Sequence, residues 1–127
     1  MNISTAAKAA DLPTKTVHYY AAIGLVKAPS RSDAGYRAYD ENAVRKLIFV
    51  RRAREFGFTI DECRELLALY EDEGRTSSEV KNMASHRLEE IRQKQKELQS
   101  LHDALSHLVE NCNGDHRPNC PIIDYLS

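Results

Sequence analysis

The apolar positions change their spacing along the chain, and each change marks an element. Met1 to Ala10 opens with Ser4 as the expected N-cap before an alanine-rich turn, and Asp11-Leu12-Pro13 ends it. Thr14 is placed to cap a second short helix, Lys15 to Ala22, which stops at Gly24, and Ile3, Ala7, Leu12, Val17 and Tyr20 give the two helices a shared apolar side. Two short helices joined by so tight a turn predict a helix-turn-helix, whose second helix enters a major groove. Leu25 to Pro29 and Gly35 to Tyr39 are β-compatible runs across the turn formers Ser30 to Ala34, so a small hairpin, a wing, is expected there. It carries Arg31 and Arg37 beside Tyr36, with Tyr39 assigned mainly to the core. Asp40 caps a third helix to about Phe56, in which Val44, Leu47, Ile48 and Arg51 recur at helical spacing. Thr59 and Glu62 have the spacing of a capping box and start a fourth helix to about Tyr70, with Cys63, Leu66, Leu67 and Tyr70 on its apolar face.

Glu71 to Thr76 is a polar break. Beyond it Ser77 or Ser78 is expected to cap a helix that meets no Gly or Pro before about Glu110. Val80, Ala84, Arg87, Ile91, Lys94, Leu98, Leu101, Leu105 and Leu108 alternate steps of four and three, a heptad seam that grows more apolar toward its C-terminal end. A helix of that length, roughly 50 Å, cannot bury its seam against so small a domain. Its simplest partner is a second copy, which makes the protein a homodimer. The fold class predicted is therefore mostly α: a helix-turn-helix domain with a wing over 1–70, a linker over 71–76, a dimerisation helix over 77–110, and a loop and tail over 111–127.

Charge sharpens this picture. The net charge is only -1, yet residues 1–58 hold ten Lys or Arg against five Asp or Glu, and residues 59–127 hold eight against fourteen. A locally basic half suits a phosphate backbone, with Lys15, His18, Tyr19, Tyr20, Arg31, Tyr36 and Arg37 as the candidate DNA contacts. No window reaches the roughly 18 apolar residues that a membrane span needs, so a cytoplasmic protein without membrane partners is expected. There is no pairing of base with nucleophile, no Gly-rich phosphate loop and no convergent pair of carboxylates, which points away from an enzyme.

The remaining chemistry lies in Cys112 to Cys120. Gly114, Pro118 and Pro121 turn the chain back, so two thiols eight positions apart can converge. Convergent thiolates favour soft ions such as Cu(I) over Mg or Ca. His116, His107 and His86 are candidate nitrogen donors for zinc, a redox disulfide is a second use, and inert thiols a third. Pro121 to Leu126 forms an apolar tail that is expected to pack back over the helix and bury the loop.

In this order the chain resembles the MerR family of transcription activators, in its copper-efflux regulator branch. The resemblance covers nearly the whole sequence: Met1-Asn2-Ile3, Tyr19-Tyr20, Gly24-Leu25-Val26, Arg31-Ser32, Gly35-Tyr36-Arg37 with Tyr39, Gly57-Phe58, and the Cys112 to Cys120 loop followed by Pro121-Ile122-Ile123. It implies that Cys112 and Cys120 bind Cu(I), or Ag(I) or Au(I), as a two-thiolate site in a long antiparallel coiled-coil dimer. It also implies that Ser77 stands where divalent-metal relatives carry a third cysteine. Two thiolates and one monovalent ion keep one negative charge, for which Lys81 of the second copy is the candidate counter-ion. The implied partners are double-stranded promoter DNA, a second copy, and RNA polymerase indirectly through the distorted promoter. One departure stands out: the family's recognition helix has an Arg before its aromatic and Tyr and a Glu after them, and here His18-Tyr19-Tyr20-Ala21 replaces both charges. Two rivals remain, a redox- or zinc-responsive regulator of the same fold and a metal-binding coiled-coil adaptor that touches no DNA.

Overall fold

The structure, a computed structural model, describes residues 1–28 and 39–127. Most of the expected wing, with Arg31, Tyr36 and Arg37, lies outside the described residues. Among those described, every regular element is a helix: α1 Ile3–Ala10, α2 Thr14–Ala22, α3 Glu41–Glu55, α4 Ile60–Glu71, α5 Ser77–Glu110 and α6 Pro121–Leu126. They fall into two compact units, Met1–Asn82 and Met83–Ser127.

In the first unit α1 packs on both α2 and α3, and α3 packs on α4. The small side chains Ala6, Ala7 and Ala10 are buried on α1 and let its neighbours approach closely. Val17, Tyr39, Leu47, Val50 and Cys63 are the largest side chains sealed from solvent, each aliphatic one contributing about 1.5–3 kcal/mol of burial. Cys63 and Tyr39 thus sit in the core, as expected.

The helix starts correct the sequence reading in detail. Asn2, not Ser4, caps α1, its Oδ1 accepting from the Thr5 amide at 2.8 Å. The residue before the cap is tied to a distant one: the Met1 amine donates to the Tyr39 carbonyl at 2.8 Å and the Tyr39 amide donates back to the Met1 carbonyl at 2.6 Å. α2 begins at Thr14 itself after Pro13, with no side-chain cap bond. Asp40 and Thr59 cap α3 and α4 as read, and in the capping box the Glu62 amide donates to Thr59 Oγ1 at 3.1 Å while the Thr59 amide donates to Glu62 Oε1 at 2.9 Å. Thr76 precedes α5, its Oγ1 accepting from the Glu79 amide at 3.4 Å, in place of the expected Ser77 or Ser78.

Two arginines tie the α3–α4 pair to the ends of the helix-turn-helix. Arg51 Nε donates to the Ala10 carbonyl, the last of α1, at 2.9 Å. Arg64 donates from Nη1 to the Gly24 carbonyl and from Nη2 to the Ile23 carbonyl, each at 3.2 Å, just past α2. Carbonyls at helix C-termini carry partial negative charge and lack intrahelical donors, so a guanidinium both satisfies and stabilises them. A charged residue on the apolar stripe of α3 is thereby explained.

α5 is 34 residues long and buries none of them. Pairs three apart such as Arg92–Glu89 and Lys94–Glu97 line its surface, and Leu98, Leu101 and Leu105 are all more than half exposed. No helix among the described residues is long and apolar enough to cross a membrane.

Candidate nucleic-acid interface and metal loop

Helical spacing puts Lys15, His18 and Tyr19 on one face of α2, and all three are exposed. Tyr20 is only 6% exposed, so its ring belongs mainly to the core. Burial pushes its hydroxyl pKa up, opposed by the neighbouring Arg54 guanidinium. Lys15, Thr16, Tyr19, Tyr20, Arg54 and Ile60 line an open depression of about 450 Å³ beside α2. Arg54 is a member the sequence reading did not assign. Its position off the apolar stripe of α3 was the available signal, and its Nη1 is held by the Phe58 carbonyl at 2.7 Å. A depression carrying two cations and an exposed tyrosine ring can hold a sugar-phosphate strand.

The second site closes the other unit. Cys112 follows the end of α5, its amide bonded to the Val109 carbonyl at 3.2 Å, and Cys120 is the N-cap of α6. Gly114 turns the intervening chain with a φ of 64°, a left-handed conformation that glycine adopts without a steric penalty. Asp115 then closes the tip on Arg117, accepting from its amide at 2.9 Å and its Nε at 3.0 Å. The result is that the Cys112 and Cys120 sulfurs stand 3.4 Å apart, both half-buried and unbridged. The Cys120 thiol pKa is lowered, first by the Ile123 amide and then by the Cys112 thiol and the Ile122 amide. Hydrogen bonds to the charged form are what favour a thiolate.

Among the described residues no three His, Cys, Asp or Glu side chains gather where they could hold a metal ion. His107 is engaged with Asn111, whose Nδ2 donates to the His107 carbonyl at 2.7 Å. The tail forms α6, in which Pro121 and Ile122 are half-buried while Ile123, Tyr125 and Leu126 are 61%, 73% and 73% exposed, so only its first residues pack back. Ser77 and Lys81 are exposed at the start of α5. A soft cation suits the donors that do converge, two sulfurs of which one is already biased toward thiolate.

Residues 1–71 match the family described as MerR HTH family regulatory protein, and residues 44–108 the one described as MerR, DNA binding. The chain belongs to the MerR family. It is 48% identical to the HTH-type transcriptional regulator HmrR of Rhizobium leguminosarum bv. viciae, over all of this chain and 98% of that one. It is 43% identical to the HTH-type transcriptional regulator CueR of Salmonella typhimurium, over all of this chain and 92% of the other. Among solved structures, the transcription regulator PbrR691 from Ralstonia metallidurans CH34, crystallised with lead(II), superposes with a TM-score of 0.85 at 34% identity, covering all of this chain and 99% of that one. As a MerR protein the chain is a DNA-binding transcription regulator and not an enzyme. Its helix-turn-helix is the family's DNA-binding domain.

Proposed function

We propose that this MerR protein is a homodimeric, metal-responsive activator that senses a monovalent coinage-metal ion, Cu(I) with Ag(I) and Au(I) as alternatives, through Cys112 and Cys120. The observation that carries the reading is the pair of sulfurs 3.4 Å apart at the junction of α5 and α6. Cys112 and Cys120 would hold the ion, which would supply a soft Lewis acid to the two thiolates. Soft thiolates select for soft ions, and a pair of them leaves one net negative charge around a +1 ion where a +2 ion leaves none. Ser77 brings no third thiolate, and Lys81 of the second copy is the group that offsets the residual charge. Preference for +1 over +2 ions follows from this donor set. Similarity to CueR and HmrR supports the same assignment.

The proposed division of labour has residues 1–70 bind DNA, 71–76 connect, 77–110 pair with a second copy and 111–127 sense. Lys15, His18, Tyr19, Arg31, Tyr36 and Arg37 face the operator, with Arg54 added beside Lys15 and Tyr20 supporting the helix from within. The dimer occupies a pseudo-palindromic site, and its activating conformation bends and untwists the promoter so that RNA polymerase meets both elements aligned. Such deformation costs roughly 1–6 kcal/mol. Tighter metal binding to that conformation is the available source of free energy. The genes served encode copper export and related detoxification.

In vitro transcription from a copper-pump promoter, with and without Cu(I), tests this. The parent is expected to activate with Cu(I), and the Cys112→Ser variant to bind the promoter without responding. Retained metal activation by that variant, or tighter uptake of Zn(II) than of Ag(I) under reducing conditions, sinks the sensing assignment.

A further inference from the structure

We infer that Cys112 and Cys120 also close into a reversible intramolecular disulfide that switches the metal response off, so the protein reports an ion only while its thiols are reduced. The inference rests on the two-thiolate reading above and adds a second input, the thiol–disulfide poise around the protein. The sulfurs at 3.4 Å need to approach by little more than about 1 Å to reach the 2.05 Å of a disulfide. No helix has to break for them to do so. Cys112 lies past the last residue of α5 and Cys120 before the first of α6, and the residues between form no helix. Both sulfurs are partly open to solvent, within reach of a small oxidant. Cys63, near the start of α4, is 0% exposed, so the chain's third thiol does not compete.

The co-reactant is a low-molecular-weight disulfide such as glutathione disulfide. One loop thiolate attacks a glutathione sulfur, a protein–glutathione S–S bond forms, and a glutathione thiolate leaves. The second loop thiolate then attacks the protein sulfur of that mixed disulfide, the Cys112–Cys120 bond forms, and a second glutathione thiolate leaves. Two electrons pass from the loop to the glutathione disulfide, and the two protons of the protein thiols end on two glutathione molecules. The closed loop offers no thiolate, which is the form that ligates metal. A thiol reductant reverses both steps.

The test equilibrates the full-length, metal-free protein anaerobically with graded glutathione and glutathione disulfide. Glutathione is then removed, intact mass and alkylation pattern are read, and Ag(I) is titrated. Closure is expected to remove about two mass units per chain, the two thiol hydrogens. Cys112 and Cys120 are expected to resist alkylation, with Cys63 still a thiol in unfolded samples. Ag(I) uptake is expected to fall from one ion per chain to none and to return after reduction, and the Cys63→Ser variant is expected to behave as the parent. Arrest at the mixed disulfide, cross-linking between chains, or undiminished Ag(I) uptake by the closed form overturns the switch. A reduced protein that takes up Ag(I) yet never closes overturns the switch alone. One that takes up no Ag(I) even when reduced overturns the metal reading and the switch together.

Discussion

Replacing Arg51 with Met separates the latch on α1 from the packing around it. Methionine keeps an unbranched apolar stem in the place of the arginine methylenes, so the change is concentrated in the guanidinium. The side chain is 24% exposed and its Nε donates at 2.9 Å to the carbonyl of Ala10, a residue fully buried at the end of α1. A hydrogen bond from a charged donor contributes about 1.5–3 kcal/mol, and partial exposure puts this one near the lower end. The exposed pair with Glu55 adds no more than about 0.5 kcal/mol. The sum, about 2 kcal/mol, lowers Tm by roughly 10 °C for a domain of this size. Thermal unfolding followed by near-UV tyrosine dichroism reads it, because Tyr20 and Tyr39 are both buried in that unit. The salt dependence of operator binding is expected to keep its slope, since no phosphate contact is removed. A Tm within about 2 °C of the parent refutes the latch.

The Thr59→Ala variant loses one half of the capping box and is expected to cost about 1 kcal/mol in urea unfolding, with Glu62→Gln much milder. Lys15→Met is expected to reduce the salt slope of DNA binding by about one, as one phosphate contact is lost. Burial raises the Cys63 thiol above its ordinary value near 9.0. The contribution from its neutral form is therefore complete below pH 9 and is lost as the pH rises through the higher folded value, a slope that Cys63→Ala removes in pH-dependent unfolding. Cys120→Ser is expected to abolish Ag(I) uptake while leaving operator affinity within about twofold, checked by titration and mobility shift.

What was legible in the residues was whatever is decided locally. Asp40 and Thr59 cap their helices with amides three positions away, and the pattern around them suffices. At the start of α1 two cap candidates, Asn2 and Ser4, stand two positions apart, and the pattern alone does not choose between them; Met1, just before the cap, is bonded to Tyr39, 38 residues distant. Arg51 recurs with the apolar positions of α3, and what holds a charged group there, the Ala10 carbonyl, lies 41 positions back in the chain. Tyr20 was assigned both to the core and to DNA, and only the packing of α2 on α1 separates the two. At the loop, spacing established that the two thiols needed a turn to meet. Which other groups would join them depended on where the His107 and His116 side chains come to rest, and helical spacing alone does not determine that.

The bare surface of α5 bears on how the protein responds to its own abundance. A 34-residue helix with no buried residue gains little from folding within one chain, so in the homodimer proposed here its stability is set by mass action. Each tenfold dilution of the protein then removes about 1.4 kcal/mol from that half of the molecule, while the first unit, with its own core, feels nothing. Copy number thus becomes a property of the sensor: cells holding few molecules keep the binding heads folded but let the pairing that joins two heads lapse.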